Sequence, residues 1–241
     1  MTQRQHVPLS VLDLSILREG ATSGDALSQT TALAQCADSS GYERFWVAEH
    51  HNMPSVACTA PTILIGHLAA LTSRINVGSG GVMLPNHAPL VVAEQFAMLE
   101  ALHPGRIDVG IGRAPGTDQR TAAAVRRSEG ALGAEDFPND LFELMDLLGD
   151  RRFDTTIGDH FKATPAASSY PKVFLLGSSG YSAHLAAKLG LPFGFAHHFE
   201  GGVGPAAGVG ASGRGRPVGP LQARPPASVR PRRAGPAAPG A

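Results

Sequence analysis

Two adjacent histidines follow a short apolar segment and could carry acid–base chemistry. They stand in Glu49-His50-His51, directly after the apolar run Arg44–Ala48. An imidazole titrates near neutral pH, so it can take a proton from a substrate or an intermediate. Two loop histidines that hydrogen-bond locally or face solvent are the alternative interpretation. A zinc site is a further alternative, for which His197-His198 would have to supply ligands from elsewhere in the chain.

Three glycines in four residues interrupt another apolar run. They belong to Gly78-Ser79-Gly80-Gly81, within the segment Ile75–Leu84. Glycine weakens a strand, so this cluster indicates a bulge or the close approach of a flat ligand to bare backbone. A bend that serves only to close a barrel is the alternative.

Two later segments could bind an anion. Arg113 follows an apolar run, and its guanidinium could pair with a phosphate or a carboxylate, although a single arginine more often forms a surface ion pair. The segment Gly177-Ser178-Ser179-Gly180-Tyr181-Ser182 joins a strand to a helix, where hydroxyls and free N–H groups favour an anion. Ser182 could also be the N-cap of that helix.

Six short apolar segments and the helices between them must position these residues. Strands are predicted at Val7–Leu14, Arg44–Ala48, Ile75–Leu84, Ile107–Gly112, Val173–Gly177 and Phe193–His198. Helices are predicted at Asp25–Ser40, Pro61–Thr72, Pro89–His103, Asp140–Leu148 and Ser182–Leu189, with Asp140 and Glu143 in capping-box spacing. This alternation predicts an α/β fold with a parallel sheet. Because no glycine-rich phosphate loop follows the first strand, a (β/α)8 TIM barrel, two strands short, is favoured over an open doubly wound sheet.

The charge of the chain divides it into two parts. The 241 residues hold 20 acidic and 20 basic side chains. Residues 1–199 carry 19 acids and 14 bases, whereas 200–241 carry one acid and six arginines. Gly, Ala, Pro and Arg make up 33 of those last 42 residues, so we expect a low-complexity, disordered tail after a folded domain at 1–199.

Several classes of protein are disfavoured by the sequence. No apolar signal core or membrane-spanning stretch is found, which predicts a cytoplasmic protein without membrane contact. The tail arginines lack interleaved aromatic residues, so nucleic-acid binding is not expected. Cys36 and Cys58 have no CxxC spacing, and we predict two buried, reduced thiols without a disulfide.

Taken together, these segments resemble the bacterial luciferase-like family of flavin-dependent monooxygenases and oxidoreductases. The motifs are FWVAEHHN, INVGSGGVMLPNHAPLVVAEQ, LEALHPGRIDVGIGRAPG and LLGSSGYSAHLAAKLGLP, which follow one another in the family's order. The resemblance covers about residues 7–199 and ends abruptly after Phe199. It therefore predicts a family member that is truncated at its C-terminal side, with about six βα units.

The resemblance implies a site and a reaction. It implies a TIM barrel that binds FMN, with His50 at the family's catalytic histidine and Gly80-Gly81 at a cis peptide under the flavin ring. It aligns Arg113, Ser179 and Ser182 with phosphate-binding groups, and Gly180 and Tyr181 belong to the same segment. Reduced FMN and dioxygen would then oxygenate a small organic substrate, a separate NAD(P)H flavin reductase could supply the electrons, and a homodimer is one assembly considered. A deazaflavin is the less favoured cofactor.

Two other classes of function stay open at this point. One is a non-catalytic flavoprotein or partner subunit that keeps the fold but not turnover. The other is a metal-dependent barrel hydrolase that uses His50 or His51 with His197 or His198.

Overall fold

Seven parallel strands form one sheet in the part of the chain that the computed structural model describes. The structure describes residues 7–126, 136–150, 152 and 155–197, so His198 and the segment 200–241 that was predicted to be disordered lie outside the described residues. The strands are β1 (Ser10–Asp13), β2 (Arg44–Val47), β3 (Asn76–Ser79), β4 (Val82–Met83), β5 (Ile107–Gly112), β6 (Lys172–Gly177) and β7 (Phe193–Phe195).

Helices follow most of these strands. They are α1 (Ser23–Ser39), α2 (Pro61–Leu71), α3 (Pro89–Leu102), α4 (Gln119–Arg126), α5 (Phe137–Leu147), α6 (Ile157–His160) and α7 (Gly180–Leu189), and a 3₁₀ turn spans Leu84–Asn86. Glycines with positive φ end two of the predicted helices, Gly41 after α1 and Gly190 after α7. Within the described part of the chain, no helix combines the length and apolarity needed to cross a membrane.

The order of the strands identifies the type of α/β fold. The sheet runs β1-β2-β3-β5-β6-β7, and β4 extends the pairing along β5. Each new parallel strand is therefore added on the same side of the previous one. A doubly wound sheet reverses this order at its switch point, whereas a barrel does not. The prediction of a TIM-barrel type of α/β fold is confirmed, in the form of a curled parallel sheet.

The core lies between the sheet and its helices. One face of β2 and β5 supplies Phe45, Val47 and the apolar residues of β5, which share one buried cluster with side chains of α2, α3 and α5. Fully burying an aliphatic or aromatic side chain contributes about 1.5–3 kcal/mol, so this layer provides much of the driving force for folding. The opposite face holds Trp46, whose ring packs edge-on against Phe174 at a centroid distance of 5.0 Å.

A β-bulge replaces the single interrupted strand that was predicted at 75–84. Gly78 pairs with Asp108, whereas Val82 pairs with Ile111. Residues 79–81 therefore lie opposite only two residues of β5. Such a bulge bends a strand and re-aims the side chains that follow it. The glycine cluster thus marks the bulge that was one of its two interpretations.

Two predictions about local structure are wrong, and two helices were not predicted. Helix α5 begins at Phe137, so Asp140 lies within its first turn and the capping box with Glu143 is not formed at the helix start. The reason is Pro138, which the first turn of a helix accepts because no N–H is needed there. Cys36 is exposed, whereas Cys58 is buried as predicted, and both thiols are free. Helices α4 and α6 were missed because half of the residues of α4 are polar and α6 is a single turn.

The carboxylate of Asp38 fixes the connection between α2 and β3. It accepts hydrogen bonds from the backbone N–H groups of Ser73 (2.9 Å), Arg74 (3.0 Å) and Ile75 (2.8 Å) and from the Ser73 hydroxyl (3.0 Å). Burial by itself would raise the pKa of Asp38, but these donors outweigh it and lower the pKa to about 2. The loop before β3 therefore depends on an ionised carboxylate.

We expect Asp38→Asn to lower the free energy of unfolding by about 2 kcal/mol at pH 7, because the amide turns a donor toward backbone N–H groups. The folded pKa lies below the ordinary value, so the stabilisation is complete above that value and is lost as the pH falls toward 2. The difference between the two proteins should shrink to roughly half by pH 3. Urea unfolding at both pH values measures it. Asp136→Asn is the control, since the Asp136 side chain makes no cap hydrogen bond, and a pH-independent difference at position 38 would contradict the prediction.

Candidate functional site

One cavity lies at the carboxyl ends of the strands. It has a volume of about 850 Å³, which is within the range of small-molecule and cofactor sites. Four of the segments singled out from the sequence meet there, although they follow four different strands. The residues of those segments that line it are His50, Gly80, Gly81, Arg113, Gly177, Ser178, Ser179 and Ser182. Parallel α/β folds place their active sites at this edge of the sheet.

The bulge supplies bare backbone to the wall of the cavity. The peptide bond between Gly80 and Gly81 is cis. A Cβ added to Gly80 would lie 2.7 Å from Leu12 Cδ1 and 3.0 Å from Trp46 Cβ. A Cβ added to Gly81 would lie 2.8 Å from the Gly110 carbonyl oxygen. Both positions therefore exclude a side chain, and a planar group in the cavity can approach the main chain.

His50 reaches this cavity from the end of β2. Its Nδ1 atom is buried and makes no hydrogen bond within the described part of the chain. Its backbone N–H donates to the carbonyl oxygen of Cys58 at 3.2 Å, which holds the residue in place. An imidazole with one unpaired buried nitrogen can accept a hydrogen bond or a proton from a bound molecule.

The thiol of Cys58, the residue whose carbonyl oxygen accepts from the His50 N–H, is not a nucleophile. Burial raises the pKa of Cys58 to about 12, and the negative charges of Asp13 and Glu49 act in the same direction. Because the thiolate is the reactive form, this cysteine stays protonated and inert. The prediction of a structural thiol holds for Cys58.

Glu49 is the site residue that sequence reasoning missed. Its side chain is 1% exposed and accepts hydrogen bonds from His51 Nε2 (2.8 Å), His87 Nε2 (2.9 Å to each oxygen), the Met83 N–H (3.0 Å) and Asn86 Nδ2 (3.1 Å). Burial would raise the pKa of Glu49, but the hydrogen bond and charge of His87, followed by the other donors, keep that pKa below its usual value. No local sequence signal marks this role, because three of the four donors are 34–38 residues away in the chain.

The two neighbouring histidines have different environments. His51 donates to Glu49 and does not line the cavity, whereas His50 does. His197 is exposed at the end of the described residues, and its ring lies 6.0 Å from that of Phe195. Among the residues that the structure describes, no three His, Cys, Asp or Glu side chains form a group able to hold a metal ion.

Arg113 lies opposite the start of α7. Its guanidinium stacks on the ring of Tyr181 at 4.5 Å, and it has no carboxylate partner among the described residues. Helix α7 begins at Gly180 with Ser179 as its N-cap residue, so Ser182 is a buried residue of the first turn and not the cap. Gly180 and Tyr181 do not line the cavity themselves. Tyr181 contacts the site through Arg113.

A positive charge, two hydroxyls and a helix N-terminus therefore line the same cavity. Each of these groups attracts an anion, and together they fit a phosphate. The imidazole of His50 and the bare backbone of Gly80 and Gly81 line this cavity as well. Apolar side chains line the space around them, among them Leu12, Trp46, Met83, Leu176 and Phe195.

Comparison with known proteins identifies relatives over most of the described chain. The model of the luciferase-like monooxygenase family matches residues 8–208. A luciferase-like monooxygenase of Escherichia coli (strain K12) is 50% identical over 193 residues, which are 80% of this chain and 56% of the relative. An N-acetyl-S-alkylcysteine monooxygenase of Bacillus subtilis (strain 168) is 45% identical over 195 residues, or 81% of this chain and 58% of the relative. The chain thus spans little more than half the length of these curated relatives.

Solved structures share the same fold. The apo form of MsnO8 is 44% identical, with a TM-score of 0.74, and the match covers 80% of this chain and 57% of that one. The oxygenating constituent of 3,6-diketocamphane monooxygenase from Pseudomonas putida, solved with FMN, is 19% identical with a TM-score of 0.62, covering 78% and 57%. A secondary alcohol dehydrogenase that depends on coenzyme F420 is 19% identical with a TM-score of 0.56, covering 74% and 55%. At 19% identity, the last two similarities concern the fold alone.

Proposed function

Since the chain belongs to the luciferase-like monooxygenase family, we propose that it binds FMN in the cavity at the carboxyl ends of its strands and serves the oxygenation of a small organic substrate by reduced FMN and dioxygen. The observation that carries this proposal is the position of Arg113. Its cation has no carboxylate partner among the described residues and shares the cavity with Ser179, Ser182 and the start of α7. A cation held in this way favours a dianionic phosphate.

The cavity walls support a flavin as the group attached to that phosphate. The missing side chains of Gly80 and Gly81 leave flat backbone on which a planar ring system can rest. His50 Nδ1 is buried without a hydrogen-bond partner in the described chain, so a polar edge of a bound ring or substrate would satisfy it. Arg113, Ser179 and Ser182 would hold the phosphate, with Tyr181 fixing the plane of the guanidinium.

The residues of the chain have three tasks in this reaction. Bound reduced FMN would supply the electrons with which dioxygen is activated. Trp46, Leu176 and the other apolar side chains would keep water away from the reacting atoms. His50 would take or return a proton at Nδ1, because it is the titratable ring that both faces the cavity and keeps an unpaired nitrogen. Arg113 would neutralise the phosphate and fix the position of the ligand.

FMN is a better candidate than a deazaflavin. Two relatives that are 50% and 45% identical to this chain are named monooxygenases, whereas the F420-dependent dehydrogenase is only 19% identical. As the substrate we propose an N-acetyl-S-alkylcysteine, following the N-acetyl-S-alkylcysteine monooxygenase of Bacillus subtilis, with its S-alkyl group against the apolar lining of the cavity. A separate NAD(P)H flavin reductase would supply reduced FMN, and both proteins would lie in the cytoplasm. Cell fractionation in which both proteins are followed tests this location.

We also propose a homodimer, because two outer helices carry exposed apolar stripes. The residues are Ile63 and Leu71 on α2 and Val91, Met98 and Leu102 on α3, each at least 44% exposed. Exposed apolar side chains on neighbouring helices can mark a protein interface. Light scattering at micromolar concentration tests this assembly, and a monomer mass would contradict it.

Titration of the purified chain with FMN and reduced FMN tests the proposal directly. We expect saturable quenching of flavin fluorescence. We also expect inorganic phosphate to compete with FMN for Arg113. A matched titration with riboflavin, which lacks the phosphate, should show much weaker binding. Absence of saturable binding by both oxidised and reduced FMN would contradict the cofactor assignment.

We expect His50→Ala to slow sulfoxide formation from an N-acetyl-S-alkylcysteine about tenfold to a hundredfold, because the proton-transferring group is removed. The reaction is started with chemically reduced FMN in air and followed by chromatography. Binding of FMN should change little, since His50 is not one of the residues proposed to hold the phosphate. His51→Ala is the control, because His51 does not line the cavity. An unchanged rate for His50→Ala would show that this residue is not the proton-transfer group.

A further inference from the structure

One buried carboxylate joins the segments that carry His50, the glycines of the bulge and Arg113. Glu49 directly precedes His50, and its backbone N–H donates to the Gly81 carbonyl oxygen at 3.0 Å. Its side chain accepts from the Met83 N–H, immediately after the bulge, at 3.0 Å. The end of β2 and the ring-facing glycines are thus bound to each other through both the backbone and the side chain of Glu49.

The same carboxylate also connects to the loop that carries Arg113. Asn86 donates from Nδ2 to Glu49 Oε1 (3.1 Å) and to the carbonyl oxygen of Pro115 (2.9 Å). Asn86 is 5% exposed, so this bridge is shielded from water. One amide therefore links the carboxylate behind His50 to the backbone two residues after Arg113.

The chemistry of the link requires an ionised acid. A carboxylate only accepts hydrogen bonds and has about four lone-pair directions, and here four groups donate to it. Because the carboxylate cannot donate, His51 and His87 must each present an Nε2–H to it. Glutamine would offer one acceptor and one donor, so it would place an N–H against at least one of these N–H groups.

We propose that Glu49 is a positioning residue. It sets the spacing between Arg113, which would hold the phosphate, and His50 with Gly80-Gly81, which would contact the ring. This inference rests on the proposed function, because it concerns the same ligand. Glu49 itself does not line the cavity. Its effect is to let one molecule of FMN contact Arg113 through its phosphate and Gly80-Gly81 through its ring at the same time. Only then can the phosphate add to the affinity that the ring provides.

The test compares affinity for FMN with affinity for riboflavin in wild type and in Glu49→Gln. We expect wild type to prefer FMN about 100-fold, and Glu49→Gln to reduce that preference to below about tenfold while the affinity for riboflavin changes less than about threefold. Loss of folded protein alone would lower both affinities equally and leave the preference unchanged. The ratio therefore separates positioning from general stability.

Glu100→Gln is the matched control. Glu100 is also a fully buried glutamate and accepts hydrogen bonds from the Gly105 N–H (2.6 Å) and the Ser169 hydroxyl, but it does not line this cavity. Its substitution should lower the melting temperature while the preference for FMN stays within about threefold of wild type. A Glu49→Gln protein that behaves in the same way would overturn the inference.

Asn86→Ala provides a second variant in case Glu49→Gln does not fold. It removes the bridge between Glu49 and Pro115 but leaves the other three donors to Glu49 in place, and we expect the preference for FMN to fall about three- to tenfold. An unchanged preference in a folded Asn86→Ala protein would overturn the inference even if Glu49→Gln cannot be studied. Failure of wild type to bind FMN at all would instead overturn the proposed function, and this inference with it.

Discussion

Arg113→Ala is expected to raise the Kd for FMN about 100-fold, which corresponds to ~2.8 kcal/mol of binding free energy. The guanidinium faces the cavity, stacks on Tyr181 at 4.5 Å, and has no carboxylate among the described residues to neutralise it. Removing it leaves the phosphate of FMN to two serine hydroxyls and the start of α7. Isothermal titration calorimetry or fluorescence titration measures the change.

Riboflavin makes this prediction specific to the phosphate. Its Kd should change less than about threefold in Arg113→Ala, because it carries no group for the guanidinium to bind. Arg113→Lys keeps the charge but loses the stacked, forked donor set, so we expect an intermediate Kd. Arg18→Ala serves as a control for net charge, since Arg18 is exposed and does not line the cavity. Equal weakening of FMN and riboflavin would contradict a phosphate-binding role.

Gly110→Ala is expected to lower the free energy of unfolding by about 3–4 kcal/mol or to prevent folding. The added Cβ would lie 2.0 Å from the carbonyl oxygen of Ser79 and 3.0 Å from Leu176 Cδ1. The backbone around it cannot move easily, because the Ser79 hydroxyl donates to the Gly110 carbonyl oxygen and accepts from the Gly110 N–H, both at 2.9 Å. The clash is therefore between two strands in the middle of the sheet.

Gly24→Ala is the matched control for this substitution. Gly24 lies in the first turn of α1, where an added Cβ would be 3.6 Å from Thr22 Oγ1, an ordinary contact. We expect a change within about 1 kcal/mol, and in the stabilising direction, because alanine restricts the unfolded chain and favours helix. Chemical denaturation of both variants decides the matter, and equal stability of Gly110→Ala and wild type would contradict the close packing of β3 against β5.

The parts of the fold that the sequence predicts are those governed by local patterns. Short apolar segments gave the strands, and Gly41 and Gly190 marked the ends of α1 and α7 because glycine accepts positive φ. The start of α5 was placed three residues late, since Asp140 has a capping side chain whereas the true first turn contains Pro138. Helix α4 has few apolar residues to reveal its periodicity.

The candidate site divides in the same way. The location of His50, Arg113 and the glycines of the bulge at one cavity was predictable. Each of them follows a strand and is a residue type with an evident chemical use. Glu49 was not, although it stands beside His50, because its importance arises from donors on other segments that approach it only in the folded chain. A burial of 99% for a glutamate is the physical sign of such a role, and burial is a property of the fold.

The bulge at residues 79–81 also determines which side chains of this strand form the wall of the cavity. Val77 before it and Val82 and Leu84 after it all belong to the hydrophobic core, although strict alternation from residue 77 would put odd-numbered positions there. Met83 consequently lines the cavity. The number of residues in the bulge therefore determines which side chains after it face the core and which face the cavity. A bulge that is one residue longer or shorter would exchange these two sets of positions.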